Sequence, residues 1–275
     1  MNALNFLIVL FTIFTYGCGE ADFTKFSRLG GLRMVGIEAS VPEVDGTATG
    51  NVSVTLTPYI SDIDAGGRTF NVTVFSCLDS GITRGGEPDC ENPTTETSTT
   101  FDTSTLSADN YTGSMGGYSI TISNPASLIE DYSEQQRFNG VNYLVIFQLQ
   151  QGGETFRAVK AIPISERTTA NSNPTIQNIT FNEAALSNSP TSQGTLDMTL
   201  SAGAETYEVM RGDGTKTTKT ENLLISWFVS KGAVQPARIV ESQSSTYYPS
   251  EDTSITLIGV VRDRRGGTDV VVLSP

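Results

Sequence analysis

Over much of this chain apolar and polar residues alternate with a period of two, the pattern of strands that bury one face. In NVSVTLTPYI (51–60), Val52, Val54 and Leu56 fall on one side, and Ser53, Thr55 and Thr57 on the other. LRMVGIEAS (32–40), RTFNVTVFSC (68–77), GGYSITIS (116–123) and ETFRAVKAIPIS (154–165) read the same way. GVNYLVIFQLQ (140–150) is apolar enough to predict a central strand, and Gly152-Gly153 turns it into the next as a hairpin. ENPTTETSTT (91–100) reads as an exposed loop or a weak edge strand, and PASLIEDYSEQQ (125–136) as a single helical turn. Further strands are predicted in TIQNITFNEAA, GTLDMTLSAG, ENLLISWFVSKG, TSITLIGVVRDRRGG and TDVVVLSP, between residues 175 and 275. Strands recurring every ten to twenty residues, with Gly, Asn or Pro between them, predict an all-β protein of sandwich type.

The two halves share a plan. Each opens on a strand beside a proline, has an aromatic middle strand and closes on an apolar hairpin around Gly-Gly. The expectation is two tandem immunoglobulin-like β-sandwich domains, 31–165 and 174–275, joined by a polar linker at 166–173. In LLISWFVS, Ile225, Trp227 and Val229 share a face, which places the chain's single tryptophan between the sheets of the second domain.

The N-terminus departs from this pattern. Ala3–Tyr16 is an apolar stretch, shorter than the roughly 20 residues that span a bilayer and right for the core of a signal peptide. The border reads Thr15-Tyr16-Gly17-Cys18, which resembles the bacterial lipobox, whose cysteine becomes the lipid-bearing first mature residue. It departs from that pattern in having Thr15 where Leu is usual, a bulky Tyr16, and no Lys or Arg ahead of the apolar core. The three cysteines are Cys18, Cys77 and Cys90. Cys77 and Cys90 flank the Gly-rich loop CLDSGITRGGEPDC and are natural disulfide partners, which leaves Cys18 odd in an oxidising compartment. Lipidation of Cys18 accounts for it, and an ordinary secreted protein is the alternative. Residues 1–17 are then a signal peptide and 18–30 a flexible, lipidated tether.

Composition narrows the function classes. The net charge is −13 at neutral pH, and the acidic excess lies in the first half: 19 Asp and Glu against 8 Lys and Arg up to Glu166, then 11 against 9. Such a chain as a whole repels nucleic acid and anionic lipid surfaces. It has no histidine, the commonest general base and metal ligand. There is no G-x-S-x-G elbow, and no convergent set of acids stands out, so no catalytic residue and no cofactor is assigned. Asp62 and Asp64 sit in a glycine turn that lacks the remaining carboxylates of a calcium loop, so no metal site is assigned either. Arg211-Gly212-Asp213 is an adhesive tripeptide in animal proteins, but Asp213-Gly214 is first a hairpin turn. Four N-x-S/T sequons, at Asn51, Asn71, Asn110 and Asn178, would carry glycans in a eukaryotic secreted protein. The one basic spot is RDRRGG. There Arg262 and Arg264 would share a strand face, and with Arg265 they could grip a partner carboxylate or a lipopolysaccharide phosphate, or pair with the nearby Asp263 and Asp269.

LGGLRMVGIEASVPEV, VTLTPYISD and CLDSGITRGGEPDC in the first half, with NPTIQNITF, LLISWFVSKG and VVRDRRGGTDVVV in the second, resemble predicted two-domain lipoproteins of Myxococcus- and Bdellovibrio-type bacteria. The resemblance implies an envelope location, a Cys77–Cys90 disulfide and β-sandwich domains, and no reaction. The expected function is therefore a lipid-anchored, outer-membrane envelope protein acting as a non-catalytic binding or structural module, toward an envelope protein or glycan. The alternatives are a secreted or periplasmic accessory subunit of an envelope complex, recruited through an exposed sheet edge, and a carboxylate-dependent hydrolase.

Overall fold

The computed structural model describes residues 26–79, 90, 92–106, 111–251 and 255–274. The expected signal peptide, Cys18 and the first part of the tether lie outside them, as does Asn110. The described chain is almost entirely strand. The first half contains β1 (Arg33–Ala39), β2 (Val44–Asp45), β3 (Val52–Ser61), β4 (Thr69–Leu78), β5 (Thr94–Asp102), β6 (Thr112–Ser114), β7 (Tyr118–Ile122), β8 (Val141–Gln151) and β9 (Glu154–Ser165). Two short helices, α1 (Pro125–Leu128) and α2 (Glu134–Asn139), interrupt it where one helical turn was expected. In one sheet β3 lies between β1 and the pair β6 and β7; the other runs β2-β9-β8-β4-β5. The alternation decides what faces inward. Val54, Leu56, Val72, Val74, Ile120 and Ile122 are buried between the sheets.

Strand β8 is apolar on both faces, and each face has its own cover. Tyr143, Val145, Phe147 and Leu149 enter the core, while Leu144 and Ile146 pack on the outer side with Cys77 and Cys90. Those cysteines form a disulfide with Cα atoms 5.8 Å apart. The staple caps the outer face of the central strand, an apolar surface that would otherwise meet water.

The second half contains β10 (Thr175–Phe181), β11 (Ala184–Ala185), β12 (Gly194–Ala202), β13 (Thr206–Met210), β14 (Lys216–Thr220), β15 (Leu224–Val229), β16 (Ala233–Gln235), β17 (Arg238–Val240), β18 (Ser245–Tyr248), β19 (Leu257–Arg262) and β20 (Thr268–Leu273). They form the sheets β11-β10-β12-β18-β16 and β17-β15-β19-β20, with β13 and β14 as a separate hairpin. The protein is thus all-β, two sandwiches in tandem. Trp227 is fully buried beside Ile225, Val229, Leu257 and Val261 in the second core.

The outward faces of β15, β19 and β20 are also apolar, because the first sandwich covers them. Phe228, Ile258, Val260 and Val270 form a separate buried cluster with Val35 of β1 and with Leu29. The approach is close enough that a Cβ on Gly36 would lie 2.7 Å from Val270 Cγ2. The hairpin of β13 and β14 reaches back to α2: Met210 N–H donates to Asn139 Oδ1 at 2.9 Å, Asn139 Nδ2 donates to Met210 O at 2.9 Å, and the Lys216 ammonium sits 4.1 Å above the Phe138 ring. Between the sandwiches, residues 166–173 are pinned by hydrogen bonds at Arg167, Asn171 and Asn173.

One correction concerns the tether expected at 18–30. Over 26–30 it is not free. Leu29 N–H donates to Val229 O at 2.7 Å, Val229 N–H donates to Ser27 O at 2.8 Å, and Leu29 is buried. Backbone groups left open on β15 beyond the end of β17, together with the apolar cover at the seam, hold the segment against the second sandwich.

Candidate functional site at the seam between the sandwiches

The charges that matter lie where the two sandwiches meet. Glu43 follows Pro42 in the connection between β1 and β2, and its side chain is 1% exposed. Arg167 Nη1 and the Ser165 hydroxyl donate to Oε1, the former at 2.7 Å. Asn171 N–H and Arg265 Nη2 donate to Oε2 at 2.9 and 2.8 Å. Arg265 also gives Nη1 to Glu221 Oε1 at 2.8 Å and lies 4.3 Å over the Tyr207 ring. Arg167 extends the network to Asn139 O at 2.6 Å. Buried charges survive only when paired and hydrogen-bonded, and this set meets that condition around Glu43. Burial raises the Glu221 carboxyl above its ordinary pKa, with backbone and Arg265 hydrogen bonds acting against it.

This geometry corrects the reading of the RDRRGG turn. Strand β19 ends at Arg262, so Arg262 and Arg264 do not share a strand face. Buried Asp263 accepts from Arg265 N–H at 2.7 Å and from Gly267 N–H at 2.9 Å, and so folds the next residues into a turn. Gly266 in that turn has φ +119°, and a Cβ there would lie 2.4 Å from Pro42 O, so the tight passage against the first sandwich needs glycine. Arg265 does not pair with the nearby aspartates through its guanidinium; it enters the interdomain network. Arg262 Nη2 donates to Val35 O across the seam, and burial lowers its pKa, with Arg238 adding repulsion. Arg264 is exposed.

Beside that turn lies a cleft of about 320 Å³, lined by Arg262, Arg264 and Lys160 over Val35, Ile37 and Val159. Lys160 comes from β9, on the inner face it shares with Ile162 and Ile164, and its side chain reaches from there to the seam. Its ammonium donates to Ile37 O at 2.9 Å, Gly266 O at 2.5 Å and Thr268 Oγ1 at 3.2 Å. Burial lowers its pKa to about 8 against the pull of Asp263 and Glu38. All three N–H bonds of the ammonium are engaged, so it works as a clamp on the turn.

On the other side of the seam a cleft of about 270 Å³ is lined by Glu38, Asp269, Ser40, Thr57, Asn173 and Thr268. Val270 N–H donates to Glu38 Oε1 at 3.0 Å and to Asp269 Oδ1 at 2.8 Å, so the two carboxyls meet on one amide. Burial first, then the charge of Asp269, pushes the Glu38 carboxyl up to about 7. Burial and the Glu38 charge raise the Tyr59 hydroxyl to about 12. Two carboxyls in one cleft, with the Glu38 pKa raised, are the raw material of general acid–base chemistry. Here all four oxygens already accept from the protein: Tyr59 Oη donates to Glu38 Oε2 at 3.4 Å, and Ile176 N–H donates to Asp269 Oδ2 at 2.6 Å.

The remaining sequence candidates lie apart from the seam. Both oxygens of Asp62 accept from Arg68, at 2.8 and 2.9 Å, so the Asp62–Asp64 turn is closed by an ion pair. Arg211-Gly212-Asp213 forms the exposed tip of the β13–β14 hairpin, where Asp213 accepts from Thr215 N–H at 3.0 Å. Among the described residues no group of three or more metal-ligating side chains is assembled, and none of their helices is long and apolar enough to cross a membrane. The sequence reading missed Glu43, Glu221, Lys160 and Glu38. Arg265 meets partners 222 and 44 residues away, a separation no local pattern encodes. The only hint was a charged residue embedded in VPEV.

No family model matches the chain, and no curated protein matches it. Among solved structures it is similar to red sea bream transglutaminase, with 11% identity and a TM-score of 0.29 over 90% of this chain and 31% of that one. It is similar to neural ectodermal development factor IMP-L2 at 9% identity and a TM-score of 0.21, covering 88% and 92% of the two chains. An Escherichia coli alpha-2-macroglobulin activated by porcine elastase follows at 11% identity and 0.22, covering 90% and 22%. The chain spans under a third of the transglutaminase. Likeness at this level carries no functional argument.

Proposed function

We propose that this chain is a lipid-anchored bacterial envelope protein, held at the outer membrane through Cys18, whose two sandwiches act as one non-catalytic binding or structural module. The observation that carries the reading is the construction of the seam. The buried and half-buried ionisable groups that could have formed a reactive centre, Glu43, Arg265, Glu221, Lys160 and the Glu38–Asp269 pair, are bonded to one another or to backbone across it. They fix the relative position of two rigid sheets, and a fixed body with variable loops suits presentation of a surface. The alternative of an accessory subunit that adds a partner strand calls for a flat apolar edge. In the first sandwich's five-stranded sheet one open edge is β5, TTETSTTFD, which is polar and largely exposed.

The test is the intact mass of the native mature chain before and after reduction. A chain beginning at Cys18 with acyl groups, gaining two hydrogens on reduction, is the expected result. A mass without lipid, or with glycan, would overturn the anchored reading.

A further inference from the structure

We infer that the face carrying Phe26, Arg28, Arg33 and Arg238 is the membrane-facing surface of the protein and rests on anionic phospholipid headgroups. The inference builds on the anchored reading and adds an orientation to it.

Four observations converge. First, cations are scarce in this chain, yet three belong to the segment of Phe26 or bond to it. The Arg238 guanidinium lies 4.4 Å over the Phe26 ring, Arg33 donates to Phe26 O, and Arg28, two residues on from Phe26, forms a backbone bridge with Val229 next to Phe228, whose ring centroid is 5.9 Å from that of Phe26. Second, Phe26 is 46% exposed, one of two large hydrophobic side chains left open among the described residues. An exposed aromatic with arginines beside it matches the interface between headgroups and acyl chains, which takes an aromatic body and basic neighbours together. Third, Arg28 and Arg238 are exposed and form no ion pair among the described residues, so their charge is available to a partner. Fourth, the patch sits where the anchor must leave the body. Phe26 is eight residues from Cys18, and Leu29 is locked onto β15, so a fully extended connection reaches at most about 28 Å. A folded chain of this length has a radius of gyration of about 18 Å, so the reach is shorter than the body's own diameter. The exit point therefore stays close to the bilayer and the surface around it faces the lipid. Basic groups within a Debye length of an anionic leaflet are drawn to it, while the strongly acidic remainder of the molecule is repelled outward.

The experiment uses the full chain reconstituted into vesicles of phosphatidylcholine with or without phosphatidylglycerol, prepared with brominated acyl chains that quench nearby tryptophan. Trp227, fully buried, sets the wild-type baseline. Phe26→Trp should be quenched beyond that baseline, more strongly with phosphatidylglycerol. Arg28→Glu with Arg238→Glu should abolish the extra quenching, and Arg28→Lys with Arg238→Lys should keep it. An unchanged far-ultraviolet circular dichroism spectrum and thermal transition show that each variant is folded. A Phe26→Trp chain that floats with the vesicles while its quenching stays at the baseline leaves the anchor standing and overturns the proposed face. Equal quenching on both lipid mixtures overturns the anionic preference. A chain that does not float with vesicles overturns the anchored reading, and the orientation with it.

Discussion

Replacing Glu43 with glutamine tests the seam most directly. The carboxylate accepts four bonds from Ser165, Arg167, Asn171 and Arg265. A glutamine keeps one acceptor oxygen and turns an N–H₂ toward donors on the other side. Two bonds are lost, at least one of them to a guanidinium that is 8% or 9% exposed. A hydrogen bond to a charged group contributes about 1.5–3 kcal/mol, and breaking a buried ion pair from one side costs about 3–5 kcal/mol. Arg265 keeps Glu221 and Arg167 keeps Asn139 O, which places the expected loss near the lower end, about 3–4 kcal/mol. At about 2–4 °C per kcal/mol for a chain of this size, the melting temperature should fall by about 6–16 °C. Differential scanning calorimetry reads this, and should show the transition broaden or split as the two sandwiches lose their coupling. Glu208→Gln is the control: its ion pair with Lys216 spans 3.9 Å, both partners are about half exposed, and the change should stay within about 0.5 kcal/mol. A Glu43→Gln variant within about 1 kcal/mol of wild type would refute the claim that Glu43 holds the domains together.

Three further outcomes are expected. Replacing Cys77 and Cys90 with serine opens a loop with a sequence separation of 13 and uncovers Leu144 and Ile146; the chain-entropy model puts the loss at about 3 kcal/mol, read as a lower denaturation midpoint, and an unchanged midpoint would contradict it. The Glu38 carboxyl is raised from 4.5 to about 7, so the folded state holds its proton more tightly than the unfolded one; its stabilising contribution is full below 4.5 and is lost as pH rises through 7. Urea midpoints should therefore fall from about pH 5 to about pH 7.5 more steeply in wild type than in Glu38→Gln, and parallel profiles would count against the assignment. Gly36→Val would push against Val270 across the seam and should cost about 1–3 kcal/mol of stability, with near-wild-type behaviour showing that the two sheets can separate there without penalty.

The period-two alternation determined most of the long core strands, though not β13, β14 or β16 to β18, since side chains on a strand have only two directions and water penalises the wrong one. Val54 and Leu56 inward, Trp227 between sheets, β8 central, and the Gly152-Gly153 hairpin were all legible for that reason. The Cys77–Cys90 pairing was legible from parity and short separation. What the pattern could not show was which outward faces would themselves be covered. Phe228, Ile258 and Val260 alternate with core residues as solvent-facing positions should, yet they are buried because another sandwich lies over them. The same holds for the charges. Arg262 and Arg265 read as a basic spot open to a partner or paired with the local Asp263 and Asp269, and Ser27–Leu29 as slack chain, until the tertiary structure brought Val35, Glu43 and Val229 against them. Local alternation records whether a side chain can be buried. Which distant charge or open backbone group completes the burial depends on how two preformed sheets dock, and that information is spread over partners up to 222 residues apart.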